Sequence, residues 1–325
     1  MTHLLEVRNL KTHFNTDGTV IKGVDGISYY IDEGEIIGFV GESGCGKTVS
    51  QLSVLQLIPV PPGKIVSGEV LLNGIDLLKF PSNSEKMRSI RGGKIGMIFQ
   101  EPMSSLNPVL TIGRQIIESL ILHLKMDRTA ARERAVELIK LVGIPDPGQR
   151  IDDYPHQFSG GMRQRVMIAI ALSCNPGLVI ADEPTTAVDV TTQAQLLKIL
   201  GEMVQHFNTS LLIVTHNLGI VARYVQRIYV MYAGRIVESG NARDIFSNPR
   251  HPYTIGLLKS VPRLDEPKSH KLVPIVGLPP NLNNMPNYCA FFPRCAHSHA
   301  QCKERDWPDL REIGDDHYIA CPYDI

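Results

Sequence analysis

The stretch from Gly41 to Thr48, "GESGCGKT", constrains this chain more than any other: a glycine, four residues, then Gly-Lys-Thr. The apolar run "EIIGFV" precedes it and the pattern "GKTVSQLSVLQLI" follows, with Val49, Leu52, Leu55 and Ile58 recurring on one helical face. A strand feeding a helix through a glycine loop is the setting in which this spelling makes a phosphate cradle. Gly41, Gly44 and Gly46 let backbone N–H groups curl around phosphate oxygens without a Cβ in the way, and the helix start adds its positive dipole end. Lys47 brings a point charge to the β- and γ-phosphates of ATP, and the Thr48 hydroxyl is a candidate Mg2+ ligand. Ser43 and Cys45 complete the loop, with Cys45 read as a tolerated small residue and a redox role as the alternative.

At 325 residues the chain exceeds what one compact core usually holds, which suggests a large domain plus an appendage. Lysine plus arginine and aspartate plus glutamate both number 33, so no global basic field exists to hold nucleic acid or an anionic membrane. The start, "MTHLLEVRNLKTHF", has no apolar signal core, and no run reaches the length a spanning helix needs, so a cytoplasmic protein is expected. Six cysteines in a chain this long do not read as a secreted disulfide framework.

Short strand-like runs, "LLEVRNL", "HF", "ISYYI" and "EIIGFV", fill the N-terminal stretch. From about Glu101 to Tyr154 the pattern is helical, with "TAARERAVELIKLVGI" opening after Arg128 and stopped by "PDPGQ". Strand runs return at "LVIAD" and "SLLIVTH", separated by the helical "TTQAQLLKILGEMVQHF" and followed by the hairpin-like "IYVMYAGRIVESG", where the sheet is expected to close. Beyond about Asn248 the chain turns proline-rich and loop-like.

"LVIADEP" sets Asp182 and Glu183 at the carboxyl end of a strand, where open α/β sheets bind ligands. Asp182 would hold Mg2+ through water, and Glu183 would orient or deprotonate the water that attacks the γ-phosphate. "FSGGMRQR" places Ser159 as an N-cap, with Gly160 and Gly161 opening the helix behind it, which makes a second anion site. Here the chain resembles the ATP-binding subunits of ABC transporters, whose signature loop contacts the γ-phosphate held by the opposite subunit. Phe158 and Met162 depart from the commonest spelling of that signature. The resemblance, over roughly residues 1–245, implies further roles: Gln100 in "MIFQEP" as the Q-loop residue and an Mg2+ ligand, Asp189 in "TAVD" as the D-loop, His216 as the γ-phosphate sensor, and Phe14 stacked on adenine.

The implied fold is α/β: a P-loop ABC ATPase core, RecA-like mixed sheet plus antiparallel β subdomain, over residues 1–245. A helical subdomain would span about 101–160, and a small loop-rich, Cys-containing extension 246–325. About 110 residues without sustained heptads separate the phosphate loop from the signature, unlike the coiled-coil chromosome and repair relatives. "FQEPMSSLNPVLTIGRQI", "ADEPTTAVDVTTQAQ" and "IFSNPRHPYTIGLLKSVP" look like the oligopeptide and dipeptide importer branch, with "HPYT" its clearest mark. That branch also serves nickel and glutathione uptake, and a non-transport repair or regulatory ATPase is the alternative from another class. The resemblance further implies a paralogous second ATPase subunit, a heterodimer rather than a homodimer. It also implies two integral membrane permease subunits docking near Glu101, Pro102 and Met103, an extracytoplasmic peptide-binding protein, and a place at the cytoplasmic face of the membrane.

Cys289, Cys295, Cys302 and Cys321 are separated by five, six and eighteen residues in a segment expected to bury little apolar surface of its own. Zinc sites usually contain C-x-x-C, absent here, and common ferredoxin spacings also differ, so spacing leaves zinc, an iron–sulfur cluster and plain thiols or disulfides open. The resemblance favours a 4Fe-4S cluster, carried by some members of the branch, with zinc as the alternative.

Overall fold

The structure is a computed structural model that describes residues 3–16, 18–101, 105–185, 189–260 and 274–323. Its first strands are β1 (Leu5–Thr16), β2 (Thr19–Ile31), β3 (Ile36–Val40), β4 (Gly63–Leu72), β5 (Ile75–Asp76) and β6 (Ile95–Ile98). Then follow β7 (Leu178–Asp182), β8 (Ser210–Thr215), β9 (Arg227–Tyr232), β10 (Arg235–Asn241), β11 (Arg311–Gly314) and β12 (His317–Ile319). Contacts divide the chain into one unit of Met1–Ile31, Ile36–Leu78 and Thr215–Ile325, and another of Asp32–Glu35 and Lys79–Val214.

In the first unit, β2, β1, β4 and β5 form an antiparallel sheet in that order. The runs "LLEVRNL" and "HF" belong to the single strand β1, whose register shifts between Val7 and Leu10 around Asn9, at φ 45°. A bulge of this kind moves the inward face by one residue, which broke the alternation in the sequence into two pieces. The helix Lys47–Val54 is joined to this sheet by buried polar contacts: Thr12 Oγ1 to Ser53 Oγ at 2.8 Å, and Tyr29 Oη donating to Gln51 Oε1 at 3.0 Å. The helix is shorter than its apolar pattern, because Gln56 enters the left-handed region at φ 50°. Leu55 and Ile58 nevertheless stay buried.

A second sheet in the same unit runs β11, β12, β10, β9, β3, with β3 and β9 parallel and the rest antiparallel. Here the sequence reading is corrected: the sheet does not close at β10. β12 pairs with it, Glu238 opposite Ile319 and Ser239 opposite Tyr318. The added strands have four and three residues, too short for periodicity to reveal, and they cover what would be an open sheet edge. The extension also buries apolar side chains, among them Phe291, Trp307 and Ile319, so it is less loop-like than its composition suggested.

The second unit holds β8, β7 and β6 as parallel neighbours, with β7 buried along its whole length. Its helices include Ile112–Leu124, Arg128–Leu141, Gly160–Leu172 and Val190–His206. The Arg128–Leu141 helix opens one residue earlier than the sequence placed it, because the Asp127 carboxylate accepts from the N–H groups of Thr129 and Ala130. No helix among the described residues is long and apolar enough to cross a membrane.

Candidate active site

The phosphate loop leaves β3 at Val40 and enters the helix at Lys47. Gly41 and Gly46 are fixed by both conformation and space. Gly46 sits at φ 104°, where a Cβ would collide with the carbonyl oxygen of Gly23, and a Cβ on Gly41 would collide with that of Met231. No side chain caps the helix at Gly46. Lys47 is buried, and its Nζ donates to the carbonyls of Gly41 (2.8 Å) and Glu42 (2.9 Å), so the ammonium is held against the loop's own backbone. Cys45 is buried as well, and burial pushes its thiol upward in pKa, which argues against a reactive thiolate. Phe14 on β1 is half-buried, its ring against Gly23 and Gly63. Gly23 also abuts Gly46, so the ring lies one residue away from the loop.

In the second unit the parallel register explains the acidic end. Ile98 of β6 stands opposite Ala181 of β7, so two residues further on Gln100 comes level with Glu183. Gln100 Nε2 donates to Glu183 Oε2 at 2.9 Å. Asp182 is buried at the end of β7. Glu183 turns away at φ 45°, a conformation that costs a non-glycine residue roughly 1 kcal/mol or more, and its N–H bonds the Val214 carbonyl at 2.8 Å.

Two glutamines that sequence reasoning missed hold the backbone just after this pair. Gln164, fully buried on the Gly160–Leu172 helix, donates through Nε2 to the Pro184 carbonyl, and Gln193 Nε2 donates to the Thr185 carbonyl at 3.0 Å. In the sequence Gln164 stands between Arg163 and Arg165, so nothing local marked it as buried. Ser159 caps that helix, its Oγ accepting from Met162 N at 3.3 Å, with Ser159 and Gly160 exposed. Gly161 packs close to Thr192, whose methyl would lie 3.1 Å from an added Cβ. Asp189 caps the next helix: Oδ1 accepts from the N–H groups of Thr191 and Thr192, and Oδ2 from the Thr192 hydroxyl at 2.7 Å. These bonds, Thr192's first, lower its pKa. Thr186, Ala187 and Val188 of the "TAVD" motif, and Pro102 and Met103 beyond Gln100, lie outside the described residues. His216 follows β8 directly and is exposed, and Glu101 is exposed too.

Cys289, Cys295, Cys302 and Cys321 all line one cavity of about 60 Å3 in the first unit, with His251, Phe291 and Phe292 among its walls. None is in a disulfide. Burial raises the Cys289 thiol to about 11, with Cys321 and Cys295 adding to the rise, while backbone N–H groups of Phe291 and Phe292 point the other way. Burial raises Cys295 also, against the N–H of His297. Among the described residues no group of three or more His, Cys, Asp or Glu side chains could hold a single metal ion.

A glycine cradle after a parallel strand, with an acidic pair ending another, is the construction of phosphate-loop ATPases. Solved structures agree: a dimeric ATP-binding cassette bound to ADP and Pi matches with a TM-score of 0.65 and 27% identity, over 74% of this chain and 99% of its own. The cbiO1 protein of Clostridium perfringens, part of the ABC transporter complex cbiONQ, matches with a TM-score of 0.64 and 25% identity, over 76% and 92%. The ABC transporter family model matches residues 24–186, and the model for the C-terminal region of oligopeptide/dipeptide transporters matches 237–302. The chain belongs to the ABC transporter ATP-binding family and is an ATPase of that family. Two relatives in Bacillus subtilis (strain 168) are each 47% identical. They are the oligopeptide transport ATP-binding protein OppD, over 98% of this chain and 88% of its own, and the dipeptide transport ATP-binding protein DppD, over 99% and 95%.

Proposed function

We propose that this chain hydrolyses ATP to drive import of di- and oligopeptides through separate membrane permease subunits, at the cytoplasmic face of the membrane. The observation that carries the peptide assignment is the match of residues 237–302 to the C-terminal region of oligopeptide/dipeptide transporters, joined in one chain to an ATPase core. Residues 1–245 are that core, with its helical subdomain over about 101–160, and 246–325 the extension.

Within the core, Gly41, Ser43, Gly44, Cys45, Gly46 and Lys47 cradle the phosphates, Phe14 stacks on adenine, and Thr48, Gln100 and Asp182 offer the oxygen ligands that Mg2+ takes. Bound Mg2+ neutralises phosphate charge. Glu183 takes the proton of the attacking water, Gln100 fixes that carboxylate, and His216 senses the γ-phosphate. Ser159, Gly160, Gly161 and Asp189 serve a nucleotide on a second ATPase subunit, a paralogue in our reading, so closure of the pair draws the permease helices together. An external peptide-binding protein would select the cargo. Reconstitution with the permease subunits is expected to give ATP-dependent accumulation of labelled di- and oligopeptides. Accumulation of nickel or glutathione in their place would overturn the peptide assignment, and recovery with DNA or ribosomes instead of membrane proteins would overturn transport altogether.

The four extension thiols fit a 4Fe-4S cluster better than zinc. A cluster binds each thiolate to a different iron, so it needs cysteines spaced around a cavity, whereas zinc draws its ligands to one point. All four thiols line one cavity, and the backbone N–H donors to Cys289 and Cys295 suit thiolates. Bound there, the cluster would tie the extension together. Anaerobically purified protein is expected to be brown, and Cys295→Ser to lose the visible absorbance with the iron; a colourless preparation with stoichiometric zinc would reverse the choice.

A further inference from the structure

Glu42, the second residue of the phosphate loop, carries a carboxylate where the loop must receive the most negative part of ATP. Its charge is met by the extension. Arg294 Nη1 and Nη2 lie 2.6 and 2.8 Å from the two Glu42 carboxylate oxygens, a bidentate pair in which the arginine side chain is only 4% exposed. Arg294 is itself held in place: Nε donates to the Val276 carbonyl at 3.3 Å, Nη1 reaches Tyr232 Oη at 3.4 Å, and the guanidinium lies 5.9 Å from the Phe291 and Tyr232 ring centroids. The Glu42 backbone N–H donates to Tyr253 Oη at 2.8 Å, and Tyr253, the tyrosine of "HPYT", is fully buried. Pairing with Glu42 pushes the guanidinium's pKa further up, so its charge is permanent.

Arg294 occupies the turn between two of the thiols. Phe292–Arg294 form a 3-10 turn, Phe292 N bonds the Cys289 carbonyl at 3.0 Å, and Cys295 follows Arg294 directly. The segment that lines the thiol cavity is thus the one that grips the phosphate loop.

We propose that Arg294 is a positioning residue for ATP binding: it neutralises and orients Glu42, so that the C-terminal extension sets the affinity of the phosphate loop for nucleotide. This rests on the reading of Gly41–Thr48 as the ATP site. Without Arg294, the Glu42 carboxylate repels the phosphates and the loop loses its outer tether. The fault lies mostly in binding, because Arg294 and Glu42 act on the charge and tether of the loop itself.

Fluorescent-ATP titration of the full-length chain tests it, alongside steady-state hydrolysis with the partner subunits. Arg294→Ala is expected to raise the Kd about tenfold, with KM following and kcat within about twofold. Arg294→Lys should recover part of the loss, keeping charge without the bidentate fork. Glu42→Gln combined with Arg294→Ala should return the Kd to within about threefold of wild type, since the repelling charge is gone. An unchanged Kd in Arg294→Ala, or a double variant as weak as the single one, would overturn the proposal. If Arg294→Ala does not fold, Glu42→Gln alone decides: equal or tighter binding is expected, and weaker binding refutes the electrostatic role. A wild-type chain that binds no ATP would sink the site reading itself, which the variants' outcomes do not.

Discussion

Glu183→Gln is expected to lower kcat for ATP hydrolysis about 10³-fold, the usual scale for losing a general base, while ATP binding stays within about twofold of wild type. The substitution keeps the side chain's shape, so the Gln100 contact at 2.9 Å and the left-handed backbone at φ 45° survive. What goes is the ability to accept a proton. The measurement is single-turnover hydrolysis beside nucleotide affinity. A kcat within tenfold of wild type would move the base elsewhere, and a large loss of affinity would mean that Glu183 is structural. The strain at Glu183 makes the first outcome the more informative one. A residue that costs free energy to hold in place, opposite a glutamine fixed by strand register, is arranged for a task other than stability.

Lys47→Ala carries the second large effect, an ATP affinity lower by about 10²-fold or more, as expected when one member of a buried charge-assisted contact is removed. Its Nζ is bonded to the Gly41 and Glu42 carbonyls. Deleting it removes the cation available to the phosphates and takes a partner from the buried Gly41 carbonyl, while the Glu42 carbonyl still accepts from the Cys45 N–H. Isothermal titration with ATP and with ADP separates the parts. A cation acting on the γ-phosphate predicts a greater loss for ATP, and a loop that has simply collapsed predicts equal losses.

These two substitutions also mark how much of the site was legible in the sequence. Lys47, Thr48, Asp182, Glu183 and the Ser159 cap are local: each is fixed by a strand end or helix start a few residues away, and the apolar runs announce those boundaries. The helices after Asp127, Ser159 and Asp189 begin where their caps stand. Glu42, by contrast, looked like any polar loop residue. Its partner Arg294 is 252 positions away, and nothing in either neighbourhood hints at the other. Gln164 and Gln193 escaped for the same reason, since the carbonyls they hold belong to a different element. Strands β11 and β12 escaped because three or four residues carry no measurable period.

The sequence by itself determined the glycine spacing and strand–helix setting of the loop at Gly41–Thr48, the α/β class, and the order of the core elements, because these depend on spacing within a few turns of chain. Tertiary structure decided the standing of the C-terminal segment. Its pairing with β10, its buried Phe291 and Trp307, the gathering of four thiols around one cavity, and the Arg294 grip on Glu42 all arise between residues far apart in the chain. Contacts of that range leave no periodic trace, since each partner satisfies its charge or apolar surface only when the fold brings the other to it.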